Sequence, residues 1–439
     1  MARFYVILNM VIEMEKIHVI GAGLAGSEAA YFLANLGYEV KLYEMRPKIM
    51  TPAHHTPYFG ELVCSNSLKS NRLDNACGLL KEEMRHLHSL VMEVAKQYSV
   101  PSGQALSVDR DLFAQEITKR IRNHPHIEII EEEVKEIPKG HVILASGPLS
   151  SAGIFEALQK ITGSQNLSFF DACAPIIEKE SIDFTKAYYK SRYEEGDNSY
   201  INCAMNSEEY RRFYDALIHA ELAKTHDFDT QYFEGCMPIE VMAKRGEKTL
   251  RYGPLKPMGL RRTPEDRPFA VVQLRQDNVA ANLYNMVGFQ TNLTYAEQKR
   301  VFSLIPGLEN ARFVRYGLMH RNTFVCAPQC LTDELSLLRD ASIYIAGQLS
   351  GVEGYVESAA TGLLAAIYLD QKIRFGKVQK IPQETMLGSL VFYITHASSK
   401  GFSPMNANFG IMHHLLKDRE EMANRSLKQL DEWWRQIYG

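Results

Sequence analysis

The sequence predicts an α/β fold in which helices cover a parallel sheet, and three observations carry this prediction. An apolar strand over residues 17–20 runs into a glycine-rich turn, and small apolar residues then recur at helical spacing from 25 to 36. A second strand–glycine–helix unit begins with the apolar run at 343–346. From about residue 166, the region between them becomes rich in aromatic and acidic residues and loses the spacing of alternating strands and helices. We therefore expect a parallel sheet and an inserted second region.

The first unit carries the pattern of a dinucleotide-binding turn. Gly21, Gly23 and Gly26 stand at G-x-G-x-x-G spacing between the strand and the helix. In such a turn the first glycine allows the tight bend, the second lets the backbone approach a pyrophosphate, and the third lets helix and strand pack closely. Glu44 ends the next strand about twenty residues later, where an acid binds a ribose hydroxyl. Arg46 closes the stretch and joins these candidate cofactor-binding residues.

The second unit favours FAD as the dinucleotide. Gly347, Gly351 and Gly354 precede a helix whose N-terminus can stabilise negative charge on a reduced flavin ring. A strand over 141–147 ends in small residues, as in flavoproteins that close two dinucleotide-binding halves on one cofactor. Gln348 stands where many of these proteins carry an acid, so no contact is assigned to it. The predicted class is a Rossmann-like, two-dinucleotide-binding FAD fold of the glutathione-reductase type with an inserted α+β domain.

The domain limits follow from these units. Residues 14–166 and 316–439 are expected to form a discontinuous FAD-binding domain that ends in a C-terminal helix, and residues 167–315 the inserted substrate domain. Residues 1–13 are expected to be a dispensable extension, with Met14 as an alternative start. The apolar run near the N-terminus has no small-residue cleavage site after it, so no export signal is predicted.

Composition limits the class of protein further. The chain has 439 residues, 46% of them hydrophobic and 23% charged, which is typical of a soluble globular protein. No stretch is apolar for long enough to predict a membrane span. The seven cysteines form no regular disulfide framework, which favours reduced thiols and a cytoplasmic location. Cys326 and Cys330 have no second pair at metal-ligand spacing, so no metal site is predicted.

Residue patterns outside the two glycine units predict four further helices. They cover residues 75–100, 109–122, 295–303 and 410–434.

A long polar loop over residues 51–68 carries the first candidate reactive thiol. Cys64 stands among Ser65, Asn66 and Ser67 rather than in an apolar run. Most cysteines without a disulfide are packed structural thiols. A loop that leaves a nucleotide-binding strand is also where a reactive thiolate would stand. Both interpretations stay open at this point.

A second candidate thiol, Cys236, precedes an unusually basic segment. It stands between a glycine and a Met-Pro pair, which indicates a fixed loop. Taken alone, this position favours a structural thiol that is packed in the fold. Residues 241–276 then hold nine basic and three acidic side chains, a net charge of +6 inside a chain whose net charge is -3. A solvated face and a surface for a phosphate-rich polymer are the two interpretations. The candidate contacts are Lys244, Arg245, Arg251, Lys256 and, as a stacking platform, Tyr252.

Several motifs together resemble one family from residue 17 to the C-terminal helix. They include GAGLAGSEAA, ELVCSNSLKSN, YFEGCMPIEVMAKRGEKTLRYGPLKPMGL, GQLSGVEGYVESAATG and FSPMNANFG. In sequence and order they resemble the folate- and FAD-dependent tRNA (uracil-5-)-methyltransferases, called TrmFO and formerly Gid. The resemblance implies that a methylene group passes from 5,10-methylenetetrahydrofolate to C5 of the T-loop uridine of tRNA (U54). Reduced FAD would supply the electrons that turn methylene into methyl.

The resemblance also implies roles for the two thiols and for the partners. Cys236 maps to the nucleophile that adds to uracil C6, and Cys64 to a second essential thiol beside the flavin. The division of steps between the two thiols stays open. With no second G-x-G-x-x-G in the chain, NAD(P)H would visit the flavin only transiently as the reductant. The implied partners are tRNA, folate and NAD(P)H, with no membrane and no stable protein partner.

Two alternatives compete with this interpretation. One is the related, larger flavoprotein class that modifies wobble uridines, for whose C-terminal helical module this chain is too short. The other is a flavin-binding redox or regulatory protein without catalysis, whose thiols sense oxidants. The behaviour of Cys64 and Cys236 separates these alternatives.

Overall fold

The computed structural model describes residues 16–163, 167–172, 174–192, 199–223, 237–317, 319–400 and 402–439. Strands and helices are numbered separately, in chain order. The strands are β1 (Ile17–Ile20), β2 (Val40–Tyr43), β3 (Ser67–Ser70), β4 (Ser99–Val100), β5 (Ala105–Val108), β6 (Ile127–Ile130), β7 (Val142–Leu144), β8 (Leu167–Ala172), β9 (Ile176–Glu178), β10 (Tyr188–Tyr189), β11 (Tyr200–Met205), β12 (Ala270–Gln276), β13 (Leu283–Met286), β14 (Phe313–Arg315), β15 (Met319–Phe324), β16 (Ser336–Leu337) and β17 (Asp340–Ile345). The helices are α1 (Leu24–Asn35), α2 (Ala76–His86), α3 (Leu90–Gln97), α4 (Arg110–Arg122), α5 (Ala152–Thr162), α6 (Ser207–Ile218), α7 (Ile239–Lys244), α8 (Glu247–Tyr252), α9 (Tyr295–Phe302), α10 (Ala327–Cys330), α11 (Tyr355–Phe375), α12 (Met386–His396) and α13 (Arg419–Tyr438).

The first sheet has the strand order β16-β17-β7-β1-β2-β6. Its neighbours pair in parallel, except that β16 runs antiparallel to β17. The central strand β1 is apolar along most of its length and is covered on both faces, so Ile17 and Val19 are fully buried. The two strand–glycine–helix units therefore share one sheet, in which β7 lies between β1 and β17.

Helices α1 and α11 pack directly against each other because small residues line their contact. A Cβ added at Gly362 would lie 2.2 Å from the backbone oxygen of Ala25. At Gly26 an added Cβ would lie 1.8 Å from the oxygen of Gly21. Only glycine fits at these two positions, so Gly362 brings α11 against the first turn of α1, and Gly26 brings α1 against the glycine turn before it.

A second, antiparallel sheet forms its own layer with the order β10-β11-β12-β13-β9-β14. It has a separate hydrophobic core that includes Tyr210, Phe213, Phe289 and Phe302. The paired strands β8 and β15 form a two-stranded ladder on the chain segments that enter and leave this region. The domain limits given above stay a prediction.

Two predicted helices differ from the structure. Residues 75–100, predicted as one helix, form two helices, α2 and α3, followed by strand β4. The break falls at His88, whose φ is 59°, and Ser89 then caps α3 by accepting from the N–H of Met92. The last helix begins at Arg419 rather than at 410, because Asp418 accepts from two N–H groups of its first turn.

None of the helices in the described part of the chain combines the length and the apolar character needed to cross a bilayer.

Candidate dinucleotide site and the Cys64 loop

A cavity open to solvent runs along the edge of the first sheet where β1, β2, β7 and β17 end. This is the edge at which ligands bind in open α/β sheets. Its lining includes Gly21, Gly23, Glu44 and Arg46 from the first unit and Gly347 and Tyr355 from the second. The two units that the sequence places about three hundred residues apart therefore border one cavity.

The three glycines of the first turn occupy different environments. Gly21 has a φ of 99°, and an added Cβ there would lie 2.5 Å from the oxygen of Ala145. Gly26 packs against the oxygen of Gly21, as described above. Gly23 has no heavy atom within 4 Å of an added Cβ, and it precedes α1 as its N-cap. The open side of Gly23 borders the cavity at the positive end of α1, an arrangement suited to a phosphate group.

Glu44 and Arg46 form a buried ion pair at the cavity wall. Glu44 Oε1 accepts from Arg46 Nε at 3.0 Å and from the Arg46 backbone N–H at 3.1 Å. Oε2 accepts from the N–H of Ala22 at 3.0 Å and from Arg46 Nη2 at 3.1 Å. Burial raises the pKa of Glu44, but the hydrogen bonds and charge of Arg46 outweigh burial and hold that pKa below its usual value.

These contacts bear on the two predicted cofactor roles. A carboxylate has about four acceptor positions, and four protein donors already face Glu44. Arg46 also donates from Nη1 to Glu61 at 3.3 Å, so its guanidinium lies between two carboxylates. Both residues shape the wall of the cavity, and the direct ribose contact of Glu44 stays a prediction.

The second unit begins with a short 3-10 turn over Gly347–Ser350. Gly347, Gly351 and Gly354 have φ values of 71°, 93° and 120°, a region of backbone conformation that favours glycine. Gly354 is the N-cap of α11, so the N-terminus of this long helix comes next to the cavity. The side chain of Gln348 lines the cavity and donates to Glu353.

Cys64 is half-buried and makes no disulfide. It lies on a loop, called here the Cys64 loop (residues 62–66), that is fastened to the start of α11. The hydroxyl oxygen of Tyr355 accepts from the N–H of Cys64 at 2.6 Å and from the N–H of Ser65 at 3.1 Å. Burial raises the pKa of Tyr355 well above its usual value, so the phenol stays protonated. Val63, next to the thiol, borders the cavity. The structure therefore brings the Cys64 loop to the α11 end of the cavity.

Cys236 lies outside the described residues. The chain is described again from Met237, and α7 begins two residues later at Ile239.

The candidate polymer-binding residues lie on and after two short helices, α7 and α8. Lys244 and Arg245 are exposed, and Tyr252 is 77% exposed. Arg251 is held in place, since its Nε donates to the carbonyl of Phe269 at 2.9 Å and its guanidinium lies over that ring. Lys256 is half-buried.

Arg275, which the charge pattern groups with these cations, is not on that surface. It is buried on β12, and its side chain points to the Cys64 loop. Counting charges along the sequence did not reveal that Arg275 contacts the Cys64 loop. Tyr355 was also given no role from the sequence, although it fastens the same loop. A charged residue inside the apolar run VVQLR was the available signal, because a buried charge in a strand requires a partner.

Among the described residues, no group of three or more His, Cys, Asp or Glu side chains is placed to hold a metal ion.

The fold and the glycine-lined cavity define a two-dinucleotide-binding protein of the flavoprotein type. Solved structures of Aquifex aeolicus GidA have the same fold. One aligns with a TM-score of 0.69 at 16% identity and covers 96% of this chain and 76% of the other. A second crystal form gives a TM-score of 0.66 at 17% identity, covering 95% and 73% of the two chains. The predicted fold class is confirmed.

Relatives in sequence identify the family. The family model "Glucose inhibited division protein A" matches residues 16–376. The methylenetetrahydrofolate--tRNA-(uracil-5-)-methyltransferase TrmFO of Ligilactobacillus salivarius is 56% identical over 417 residues, which are 94% of this chain and 95% of that protein. The protein of the same name from Anoxybacillus flavithermus is 54% identical and covers 96% of this chain and 100% of its own. The chain belongs to the glucose inhibited division protein A family, in which these TrmFO proteins are near-full-length relatives, and the predicted resemblance is confirmed.

Proposed function

We propose that this protein methylates C5 of the T-loop uridine of tRNA. It takes the methylene carbon from 5,10-methylenetetrahydrofolate and the electrons from FAD, which NAD(P)H reduces again. The observation that carries the proposal is the single cavity between the N-termini of α1 and α11, with the Cys64 loop fastened at its α11 end. Relatives named for this reaction are similar to the chain over nearly its whole length. We expect the protein to act in the cytoplasm.

The residues around the cavity fit FAD. Gly23 leaves open space at the N-terminus of α1, where backbone N–H groups and the helix dipole favour a pyrophosphate. Gly347 and Gly354 bring the N-terminus of α11 to the other end, where the same dipole favours negative charge on a reduced ring. FAD, when bound, supplies the two electrons that convert a transferred methylene into a methyl group.

The two thiols would divide the remaining chemistry. Uracil C5 is a poor nucleophile until a thiolate adds at C6, and we assign that addition to Cys236 from its motif. The pyrimidine must leave the T-loop stack to be reached, which costs a few kcal/mol. Cys64 is assigned to the flavin side, as the thiol that handles the methylene or removes the C5 proton.

The basic helices α7 and α8 would hold the tRNA backbone. They begin just after the Cys236 motif and expose Lys244, Arg245 and Tyr252. Cations of this kind bind phosphates without reading sequence, so the selection of the uridine must come from the pocket and from the shape of the tRNA.

A reconstitution with single omissions tests the proposed function. Purified protein, unmodified tRNA, methylenetetrahydrofolate and NADH or NADPH are combined, and 5-methyluridine is quantified by mass spectrometry. We expect product from the full mixture and none when folate or reductant is left out. Product that requires S-adenosylmethionine instead of folate would contradict the proposal. A reduced and reoxidised flavin without any modified nucleoside would favour a redox protein.

A further inference from the structure

The Cys64 loop (residues 62–66) is held by side chains from three separate parts of the fold. Arg110 on α4 donates from Nη1 to the carbonyl of the loop's first residue at 2.9 Å. Arg315 on β14 donates to the carbonyl of the second residue. Tyr355 on α11 accepts from the next two N–H groups. The loop is therefore built into the junction of the two sheets.

Arg275 on β12 is the buried member of this group. Its Nε donates to Asn66 Oδ1 at 3.0 Å, and its Nη2 donates to Ser65 Oγ at 2.6 Å. Asn66 in turn donates to the carbonyls of Val108 at 3.0 Å and Gln276 at 2.9 Å. One guanidinium thus spans the two residues that follow Cys64 and ties them to the second sheet.

The charge of Arg275 has no carboxylate partner in an ion pair among the described residues. Its side chain is 8% exposed, and its two hydrogen-bond acceptors are neutral. A buried cation favours negative charge on a nearby titratable group. The groups whose negative charge would interact with Arg275 are Tyr200, Asp277 and Cys64.

Charged and titratable groups from several elements lie around the Cys64 loop. Arg110 is paired with Asp277 at 2.7 Å, and Tyr355 is protonated. Before the Cys64 loop, the exposed His55 donates its backbone N–H to Glu61, which also pairs with Arg46. Arg275 remains without an ion pair among the residues that the structure describes.

We propose that Arg275 is a positioning residue for Cys64, which holds the thiol loop with its two donor nitrogens and favours the thiolate with its charge. This role deepens the proposed function, because it prepares the second thiol of that reaction. It also links the thiol to β12, which forms the end of the basic segment after Cys236. A shift of β12 on tRNA binding would therefore reach the Cys64 loop directly.

The pH dependence of Cys64 alkylation tests the charge. Holoprotein is treated with iodoacetamide across a pH range, and the Cys64 peptide is followed by mass spectrometry so that other thiols do not interfere. In Arg275→Gln we expect the midpoint to rise by about one pH unit, because an opposite charge has been removed. Arg312→Gln, which removes an exposed arginine just before β14, is the matched control and should leave the midpoint unchanged. An unchanged midpoint in a flavin-containing Arg275→Gln protein would overturn the proposal.

Arg275→Lys tests the geometry separately, because lysine keeps the charge but presents one nitrogen. We expect less than half of the midpoint shift of Arg275→Gln, and methyl transfer slowed about tenfold or more by the displaced loop. Methyl transfer at the wild-type rate in Arg275→Lys would overturn the positioning role. This test remains valid even if Arg275→Gln does not fold. If wild-type protein transfers no methyl group, the proposed function fails, while the alkylation midpoints still decide the effect of Arg275 on the thiol.

Discussion

At the scale of single residues, two buried glutamates tie helices to the core. Glu28 accepts from the N–H groups of Leu90 and Val91 at the start of α3. Glu83 accepts from the N–H groups of Met386 at 2.6 Å and Leu387 at 2.8 Å at the start of α12. Burial raises the pKa of each carboxyl to about 7 against the opposing effect of these hydrogen bonds. Their protonation therefore changes within the range in which the protein is handled.

The raised pKa of Glu83 gives a prediction with a definite sign. Between about pH 4.5, its ordinary value, and about pH 7, the folded protein binds a proton that the unfolded chain has lost. The free energy of unfolding of the wild type should therefore fall, relative to Glu83→Gln, as the pH rises through this window. The difference should change by at most about 3 kcal/mol. Urea unfolding of both proteins at pH 5, 6, 7 and 8 measures it, and a pH-independent difference would contradict the raised pKa.

Sequence reasoning located the residues around the cavity better than it located their contacts. The glycine spacing correctly places Gly21 and Gly23 at the cavity and Gly26 in the packing behind the turn, because spacing follows directly from chain geometry. The contacts of Arg275 depend instead on residues that are distant in sequence. Arg275 reaches residues 65 and 66 across the junction of two sheets, which no local pattern encodes.

At the scale of secondary-structure elements, the contact between α1 and α11 sets the separation of the two helix N-termini. Gly362 lies in this contact, against Ala25, and Gly23 lies in open space just before α1. Gly362 therefore serves helix packing, whereas Gly23 leaves space for a ligand. Sequence reasoning found both helices, since each follows an apolar strand and a glycine turn. It missed the break within 75–100, because α3 is capped in part by Glu28 of another helix, which accepts from the N–H groups of Leu90 and Val91.

Alanine at Gly362 should lower the stability of the fold, whereas alanine at Gly23 should lower the affinity for FAD. Gly362→Ala should destabilise the fold by about 1–3 kcal/mol, because the new Cβ would meet the Ala25 backbone at 2.2 Å. Gly23→Ala has space and a φ of -72°, so stability without cofactor should be nearly unchanged. We expect it to bind FAD about tenfold or more weakly, because the methyl group occupies the phosphate approach. Thermal unfolding and flavin titration measure the two effects, and wild-type FAD affinity in Gly23→Ala would exclude a pyrophosphate at this turn.

At the scale of the whole molecule, the second sheet presents the cationic surface while the first sheet forms the cavity. The net charge of -3 conceals this separation, which the local excess of basic residues over 241–276 made visible. The number of available cations could not be read from the sequence. Arg251 is held against Phe269 and Arg275 is buried.

The exposed cations give a prediction on tRNA affinity. The double variant Lys244→Ala, Arg245→Ala should weaken tRNA binding and lower the slope of log affinity against log salt by about 1–2. Filter binding at several salt concentrations measures both quantities. Arg312→Gln, which removes one exposed positive charge just before β14, serves as a control outside α7 and α8. An unchanged affinity and slope would show that α7 and α8 form only a solvated face.

Tracing the carbon tests the central claim most directly. Wild-type protein is given unmodified tRNA, NADH or NADPH, and 5,10-methylenetetrahydrofolate labelled with carbon-13 in its methylene group. After nuclease digestion, each fragment is examined by mass spectrometry. We predict one labelled methyl group at the T-loop uridine, and its loss in Cys236→Ala with FAD still bound. Label at the wobble uridine, or an unlabelled methyl group at the T loop, would contradict the account.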